Sequence, residues 1–403
     1  MKTFLIDGEV AFAYDLLLTD VINTDFYYPQ YRTNELYACF VNLIVALIHN
    51  ESITLLDSDL TDSEIQELKL DHVNEATSIL PLSVDTMSDI VHRITSSTSE
   101  ITLFTSGTTG QPKQIKHSID TLTKAARISD VHADDIWGFA FNPTHIAGVQ
   151  VFLQAILNQN TLVNLFNASR NVIFDSFHKY RVTHLSATPT FYRLLLPTDK
   201  SFDFLKRISI GGEKSDQKLH NQLTSVFPNA KLNNIYASTE AGNLLASHGD
   251  NFQIPENLMH LIRINKQELL IHKSLLGKAS EFDLEFYSTG DLIEWINEEQ
   301  GIFRFAARRN NLLSIGGYKV NPTEIESFIM QISGIQQVLV YCKPNSILGN
   351  MLYADVQLSE GSNLSELDIR RYCKEHLQDY KVPRLIKFVD DISVTRTGKL
   401  KRV

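Results

Sequence analysis

The stretch ITLFTSGTTGQPKQIKHS, Ile101–Ser118, is the part of the sequence that most narrows the choice of fold. Its apolar start predicts a strand, which leads into a loop rich in glycine, serine and threonine and then to Lys113. Such a loop offers backbone N–H groups and hydroxyls to phosphate oxygens, and a lysine adds a point charge. The order GTTG followed by Pro112 differs from GxxxxGK[ST], so it is not a Walker A loop. The alternative is a surface turn built from the same residue types.

The composition limits the function classes. The 403 residues are 43% hydrophobic and 21% charged, which is ordinary for a soluble globular protein of two or three compact units. A net charge of −10 argues against broad nucleic-acid binding, which needs a basic face, but allows a local cationic pocket. Cys39, Cys342 and Cys373 lie far apart and fit no metal motif, so we expect a reduced, cytoplasmic setting.

Neither a signal peptide nor a membrane span is expected. The first residues, MKTFLIDGEV, reach Asp7 after only three apolar residues. The longest apolar run, ACFVNLIVALI (38–48), is interrupted by Asn42 and is too short to cross a bilayer. We interpret this run as a buried helix.

From about Leu103 to Phe305, short apolar segments alternate with helix-like ones. The strand candidates are DDIWGFAF, NTLVNLF, VTHLSAT, LKRISIGG and AKLNNIYA, and the helix candidates include GVQVFLQAILNQ and PTFYRLLL. Upstream, SITLLDSD predicts a strand, and TDSEIQELKL predicts a helix with a capping pattern at its start. This alternation predicts a large layered α/β domain with substantial parallel sheet. Ligand sites in such sheets gather at the carboxyl ends of the strands.

The last stretch of the chain differs from the rest and predicts a small α+β domain, and the family resemblance described below implies that this domain is mobile. PTEIESFIMQIS predicts a helix with Ile325, Phe328, Ile329 and Ile332 on one face. QQVLVYC and MLYADVQL predict strands, and SELDIRRYCKEHL predicts a second amphipathic helix. We therefore expect an N-terminal domain over 1–308 and a C-terminal domain over 310–403.

Several motifs carry a family resemblance. LFTSGTTGQPKQIKHS closely resembles the signature loop of the AMP-forming acyl- and aryl-CoA synthetases, nonribosomal adenylation domains and luciferase-like enzymes. Further segments resemble family motifs in the family's order: VTHLSATPTFYRLLL, RISIGGEK, IYASTEAG, YSTGDL, FAARRNNLLSIGGYKVNPTEIE and YKVPRLIKFVDDISVTRTGKLKR. The resemblance covers about 101–403 and implies ATP-dependent activation of a small carboxylic acid. The acyl-AMP would then pass its acyl group to CoA or to the phosphopantetheine of a carrier protein.

The resemblance implies roles for particular residues. ATP or AMP would be bound by Thr105, Ser106, Gly107, Thr108, Thr109, Gly110, Lys113, Gly211, Gly212, Glu213, Asn234, Tyr236, Ala237, Ser238, Asp291 and Arg308. The catalytic set would be Lys399, Thr239, Glu240 and His145, with Mg²⁺ held by Glu240 and Thr108. Asn310 would be the hinge between the domains, and Gly316 and Gly317 would line the thiol tunnel.

Several of these residues also have ordinary structural interpretations. Ser238 or Thr239 could cap a helix, and Tyr236 could be a core residue at the end of a strand. Asp291 could belong to a turn, while Arg308 could be a solvated charge. Lys399 could be part of a basic tail with Lys401 and Arg402. His145 could be a core histidine with satisfied hydrogen bonds.

The sequence also departs from the family pattern. The region before the phosphate loop is short, Ala237 and Ala307 stand where glycine is usual, and Asn310 replaces the usual hinge acid. No aspartate follows WGFAF, where amino-acid-activating members usually carry one, so an aryl or fatty acid is favoured over an amino acid. The alternatives are a stand-alone amino-acid adenylation protein and a degenerate, non-catalytic nucleotide-binding protein. Either a monomer or a homodimer is compatible with the sequence.

Overall fold

The computed structural model describes residues 2–105, 113–279, 284–309, 313–315, 318–345 and 349–393. In the larger part of the chain the strands are β1 (Thr3–Asp7), β2 (Val10–Ala13), β3 (Phe26–Tyr27), β4 (Gln30–Arg32), β5 (Ile53–Leu56), β6 (Thr77–Ser78), β7 (Glu100–Thr105), β8 (Lys113–Ser118), β9 (Ile136–Phe139), β10 (Thr161–Asn164), β11 (His184–Ala187), β12 (Arg207–Gly211), β13 (Lys231–Ser238), β14 (Gly242–Ser247), β15 (Phe252–Gln253), β16 (Ile262–Asn265), β17 (Glu268–His272), β18 (Phe286–Asn297) and β19 (Ile302–Arg308).

The helices of the same part are α1 (Tyr14–Asn23), α2 (Leu36–Ile48), α3 (Asp62–Glu67), α4 (Met87–Thr95), α5 (Ile119–Thr123), α6 (Ile146–Leu157), α7 (Arg170–Tyr180), α8 (Pro189–Leu194) and α9 (Gln217–Val226). The C-terminal part contains β20 (Leu313–Ile315), β21 (Tyr318–Val320), α10 (Pro322–Ile329), β22 (Ile335–Asn345), β23 (Gly349–Leu358), α11 (Glu366–His376) and β24 (Leu385–Phe388). Short 3₁₀ helices lie at Asp130–His132, Glu256–Leu258, Lys273–Leu275 and Asp379–Lys381.

An eight-stranded sheet forms the centre of the large domain, in the order β14-β13-β12-β11-β9-β10-β1-β2. The strands from β13 to β1 in this order pair in parallel, and β14 and β2 are antiparallel at the two edges. The predicted parallel α/β sheet is therefore confirmed. Because parallel neighbours end on the same side, the carboxyl ends of β12 and β13 meet at one edge.

Two larger sheets and the two-stranded antiparallel β3–β6 pair complete the described part of the large domain. The order β4-β5-β7-β8 is parallel up to β7 and closes with the antiparallel β7–β8 pair, so the predicted phosphate loop connects neighbouring strands. The antiparallel order β15-β19-β18-β17-β16 carries the YSTGDL motif on β18.

The apolar run at 38–48 lies within α2, and the prediction of a buried helix is confirmed because Leu43, Ile44 and Leu47 are all buried. α2 packs in one core with α1, α4 and α6. The capping pattern before α3 is also present, since the Thr61 and Glu64 side chains bond reciprocally to backbone N–H groups. The sequence did not predict α1 and α4. None of the helices in the described part of the chain has the length and apolarity of a membrane span.

The predicted helices and strands of the C-terminal part are present, and they share a core of their own. On α10, Ile325 and Ile329 are fully buried, while Phe328 stacks on Tyr372 of α11 at a ring distance of 5.0 Å. Ile332 lies beyond the end of α10 and packs at the margin of that core.

Candidate functional site

The carboxyl ends of β12 and β13 hold several of the residues predicted to bind ATP or AMP. Gly211 ends β12 directly opposite Ile235, and a Cβ at Gly211 would lie only 3.3 Å from the Ile235 backbone oxygen. Gly212 follows with φ +84°, a conformation that glycine adopts at little cost. Asn234 is buried, and its amide donates to the Gly249 carbonyl at 3.0 Å. Gly211 and Asn234 are therefore closely packed against backbone atoms at these strand ends.

The Glu213 side chain forms hydrogen bonds to the first turn of α8. Its Oε2 accepts from the N–H and the hydroxyl of Thr190, at 3.1 and 2.6 Å, at the start of α8. That carboxylate oxygen therefore helps to hold the first turn of α8. The prediction that Glu213 binds the nucleotide stays a prediction.

Thr239 and Glu240 lie in the turn between β13 and the antiparallel β14. The interpretation of Ser238 or Thr239 as a helix cap is therefore wrong, because no helix begins there; the Ser238 hydroxyl instead accepts from Ala241 N–H at 3.2 Å within the turn. The Glu240 carbonyl accepts from Gly277 N–H at 2.7 Å, and its carboxylate accepts from the Tyr287 hydroxyl at 3.4 Å. These contacts fix the backbone of the turn and leave a half-buried carboxylate on it.

His117, which sequence reasoning missed, ties this turn to the strand that follows the phosphate loop. It lies on β8, is fully buried, and its Nε2 donates to the Thr239 carbonyl at 2.7 Å. Lys113, half-buried, begins the same strand opposite Thr105. A Cβ on Gly277 would lie 2.6 Å from the His117 ring, so the ring fills the space beside that glycine. Two motifs distant in sequence are thus held together by one imidazole.

Tyr236, Asp291 and Arg308 also come together, as the resemblance implies. Asp291 and Arg308 are direct partners in the β18–β19 register, and Arg308 Nε lies 3.6 Å from Asp291 Oδ1. The Tyr236 hydroxyl donates to Asp291 Oδ2 at 2.7 Å. Burial, with the Asp291 carboxylate, raises the pKa of Tyr236 well above its usual value. An ionised carboxylate has about four lone-pair sites, so it accepts hydrogen bonds from several donors at once.

The Tyr236 ring stacks on Phe305 at a centroid distance of 4.3 Å. One face of the ring is therefore covered by the protein, and the interpretation of Tyr236 as a packed residue is correct for that face. Adenine would have to use the other face. Phe305 itself belongs to an aromatic group on β15 and β19 with Phe252 and Phe303.

Glu268 is a second residue that the sequence analysis missed. It is buried, and its Oε1 accepts from the Ser288 hydroxyl and, at 2.8 Å, from Gly290 N–H. Its Oε2 lies 2.5 Å from Arg309 Nη2. Glu268 thus holds both the turn that carries Asp291 and Arg309, the residue directly after β19. Nothing in the sequence around Glu268 distinguishes it from a surface glutamate.

His145 lies at the start of α6, where it meets a residue from a distant part of the chain. Its Nε2 is buried without a hydrogen-bond partner and lies 3.6 Å from Asp57 Oδ2, just after β5. The Asn142 amide donates to the same Asp57 oxygen at 2.8 Å. The interpretation of His145 as a core histidine with satisfied hydrogen bonds is therefore wrong, because Nε2 has no such bond. Sequence spacing could not have identified Asp57 as its neighbour.

Some predicted residues lie outside the described part of the chain. They are Ser106, Gly107, Thr108, Thr109, Gly110, Asn310, Gly316, Gly317 and Lys399, and their roles stay predictions. Ala237 and Ser238 end β13, and the side chain of Thr105 is not described.

We expect His117 to make stability depend on pH. Burial lowers the pKa of His117 from 6.5, although the bond to Thr239 and the Glu240 charge oppose this in part. Because the unfolded chain then takes up the proton first, the free energy of unfolding should fall as the pH drops below 6.5. His117→Gln retains an N–H donor without titrating, so the fall should be smaller in that variant. Chemical unfolding of both chains between about pH 7.5 and 5, a range that spans the histidine titration, measures this. Identical dependence of the free energy of unfolding on pH in the native chain and in His117→Gln would contradict it.

Glu268→Gln should loosen the turn that carries Asp291. The amide nitrogen of the glutamine would face either the Ser288 and Gly290 donors or the Arg309 guanidinium, so one set of donors would lose its acceptor. We expect this to lower the free energy of unfolding by about 1–3 kcal/mol. We also expect a higher KM for ATP. Glu294→Gln is the matched control, because Glu294 pairs with Arg304 in an exposed contact between β18 and β19 of the same sheet. That change should cost about 0–1 kcal/mol, and equal effects of the two variants would argue against the positioning role of Glu268.

Comparison with known proteins agrees with this arrangement. The family model of AMP-binding enzymes matches residues 40–260, and the model of the AMP-binding enzyme C-terminal domain matches residues 324–399. The first of these alone covers more than half of the chain. The chain therefore belongs to the AMP-binding enzyme family.

Named relatives are CoA ligases. The chain is 26% identical to 2-succinylbenzoate–CoA ligase of Staphylococcus aureus (strain MRSA252) over 330 residues, 74% of this chain and 65% of the relative. It is 26% identical to 4-hydroxybutyrate–CoA ligase 1 of Metallosphaera sedula over 359 residues, 75% of this chain and 61% of the relative. The chain thus spans about three-fifths of the length of the curated relatives it matches.

Solved structures share the fold. ATP-bound MatB from Rhodopseudomonas palustris is similar with a TM-score of 0.74 and 18% identity, over 99% of this chain and 94% of that one. The anthranilate CoA ligase AuaEII in complex with anthranoyl-AMP has a TM-score of 0.75 and 16% identity, over 99% and 92%. The two-domain α/β architecture predicted from the sequence is therefore confirmed.

Proposed function

We propose that this protein activates a carboxylic acid with ATP, giving acyl-AMP and pyrophosphate, and then transfers the acyl group to a thiol. The supporting observation is the convergence of distant motifs. His117 joins β8, after the phosphate loop, to the Thr239–Glu240 turn. Strand β13, which ends just before that turn, carries Tyr236, whose hydroxyl donates to the Asp291 carboxylate. The named relatives that are CoA ligases support the same reaction.

In this proposal the residues around Asp291 bind the nucleoside. Asp291 accepts ribose hydroxyls, and Arg308, half-exposed beside it, is the second ribose contact. The ring face of Tyr236 opposite Phe305 lies against adenine, next to the backbone of Gly211 and Gly212. Ring stacking on Phe305 keeps Tyr236 in one orientation. Because Tyr236 and Asp291 are already ordered, nucleotide binding loses little free energy to immobilising these side chains.

The phosphates lie, in the same proposal, between the loop after β7 and the Thr239–Glu240 turn. Lys113 faces the leaving pyrophosphate, and the Thr239 hydroxyl contacts the α-phosphate. The half-buried Glu240 carboxylate fits Mg²⁺, which prefers one or two carboxylates together with substrate phosphates. When bound, the ion neutralises phosphate charge. Lys399 bridges the substrate carboxylate and the α-phosphate, where negative charge increases during the attack.

The acid pocket begins at His145. Its Nε2 is buried without a hydrogen bond and faces Asp57 Oδ2 at 3.6 Å, and the Asn142 amide donates to the same carboxylate oxygen. Asp57 is therefore already engaged, which supports an aryl or fatty acid rather than an acid with a cationic amine. Its presence beside His145 nevertheless keeps one alternative, activation of an amino acid whose ammonium group pairs with Asp57.

We propose a small C-terminal domain from about residue 310 that rotates between the two half-reactions, with Asn310 as hinge. Gly316 and Gly317 would then line the path of the thiol, either CoA or a carrier-protein phosphopantetheine. Hinge motion requires only a few residues that absorb the backbone change, so a neutral asparagine is compatible with it.

The test is pyrophosphate release from Mg·ATP across panels of aryl, fatty and amino acids. Release with aryl or fatty acids is the expected result. Release with amino acids alone would favour the adenylation alternative. ATP binding without pyrophosphate release in the presence of any of the acids would contradict the proposed reaction and favour a non-catalytic nucleotide-binding protein. Adding CoA, or a carrier protein bearing phosphopantetheine, to an active pair then identifies the acceptor.

A further inference from the structure

Three potential metal ligands lie close together at the amino ends of β9 and β11, on the side of the large sheet opposite the carboxyl ends of the strands. His132 ends a short 3₁₀ helix, Asp135 precedes β9, and His184 begins β11. Asp135 Oδ2 lies 2.8 Å from His132 Nδ1 and 3.5 Å from His184 Nε2, and one ligand atom from each residue lies within 4.8 Å of the others. Ligands around a tetrahedral ion at about 2.0–2.2 Å lie roughly 3.4 Å apart. The three side chains therefore have nearly the spacing that an ion would impose.

A neighbouring hydroxyl sets the tautomer of His184. The Thr183 hydroxyl donates to the Ile136 carbonyl at 3.2 Å and accepts from Ile136 N–H at 2.8 Å. His184 Nδ1, at 2.9 Å from the same oxygen, then acts as the donor. That leaves the Nε2 lone pair pointing towards Asp135. Metal-bound histidines commonly donate their other ring N–H in this way, which fixes the ring.

The three side chains are mostly buried, and the cationic side chains near them are Lys206 and Arg207. The side chains of Asp135 and His184 are only 4% and 6% exposed. The lone pair of His184 Nε2 and the Asp135 carboxylate therefore face each other in a buried position. The exposed Lys206 ammonium lies 3.7 Å from Asp135 Oδ1, but Oδ2 faces the two imidazoles. A buried carboxylate is costly unless it is paired or binds a metal. Within the described part of the chain, this is the only such group of three residues.

We propose that His132, Asp135 and His184 bind one divalent transition-metal ion of the zinc class. Two imidazoles and one carboxylate suit Zn²⁺ and its neighbours rather than Mg²⁺ or Ca²⁺. Water would complete the coordination, since the His132 side chain is 23% exposed. The ion would join the amino ends of β9 and β11, separate from the nucleotide residues at the carboxyl ends. Its role is therefore to stabilise the sheet and not to take part in acyl transfer.

Equilibrium dialysis of the full, tag-free chain against Zn²⁺, without nucleotide or Mg²⁺, tests the proposal. We expect one equivalent bound by the native chain and a loss of affinity of about tenfold or more in His132→Ala. His132 is partly exposed, so this change spares the buried core, and Asp135→Asn is the second variant. His72→Ala is the matched control, because His72 and Glu75 have the same 2.8 Å contact at a three-residue spacing. It should leave binding unchanged.

Tryptophan fluorescence gives an independent measurement. The Trp137 ring lies 4.9 Å from the His184 ring, and Trp295→Phe leaves Trp137 as the single tryptophan of the chain. Co²⁺ should quench Trp137, and Zn²⁺ should reverse the quenching. Absence of Zn²⁺ binding to the native chain, equal affinity in His132→Ala, or quenching unaffected by Asp135→Asn would each overturn the proposal. The three residues would then form a hydrogen-bonded cluster only.

Discussion

Lys399→Ala is expected to slow acid-dependent pyrophosphate release by about 10²–10³-fold. The proposed ammonium lies where negative charge increases on the carboxylate and the α-phosphate, so its loss acts on the first half-reaction. Thioester formation from supplied acyl-AMP should be largely retained, because that step does not need the α-phosphate to be attacked. Single-turnover assays of each half-reaction measure the two rates separately.

Lys401→Ala is the matched control for that experiment. It removes the same charge from the same basic segment, two residues further along. It should leave both half-reactions close to the native rates. Equal loss of both half-reactions in Lys399→Ala, or equal loss in the two variants, would contradict the role proposed for Lys399.

Gly148→Ala is expected to have the largest effect on the folded structure. Gly148 lies in the first turn of α6, and a Cβ there would be 2.2 Å from the Asn142 carbonyl oxygen and 3.1 Å from Pro143 Cα. Both are backbone atoms that cannot turn aside. Overpacking of this kind costs about 1–3 kcal/mol or more. The same shift would displace Asn142 and His145, so the KM for the acid should rise as the free energy of unfolding falls.

Gly249→Ala is the matched control for the steric argument. A Cβ at Gly249 would meet no atom within 4 Å. Its effect should stay within about 0.5 kcal/mol. Chemical unfolding and acid-dependent kinetics of both variants provide the comparison. A Gly148→Ala chain as stable as the Gly249→Ala chain would show that the loop before α6 can move.

Local sequence predicted the elements that depend on local chemistry. The strands β9 to β13 follow apolar runs bounded by turn residues, and α3 begins at the reciprocal Thr61–Glu64 cap. The apolar face of α10 was predicted from its spacing. The α1 and α4 helices were missed because the surrounding turn residues obscured their periodicity. The domain boundary near residue 310 stays a prediction.

The candidate site was predictable only where a motif carried it. The pairing of Asp291 with Arg308 follows from the β18–β19 register, and the resemblance implied both residues. The residues that hold those motifs in place were not predictable in this way. His117 bonds across 122 positions to Thr239, and Asp57 meets His145 from another sheet. Such contacts depend on how the sheets pack, which no local pattern encodes.

Isotope transfer from the acid tests the central claim most directly. The substrate acid is labelled with ¹⁸O in its carboxylate and incubated with Mg·ATP, the protein and the thiol acceptor, and the products are analysed by mass spectrometry. If the carboxylate attacks the α-phosphate, one labelled oxygen bridges acid and phosphate, and it leaves with AMP when the thiol attacks the carbonyl carbon. The account predicts ¹⁸O in AMP and unlabelled pyrophosphate. Label in pyrophosphate or inorganic phosphate, or AMP without label, would contradict it.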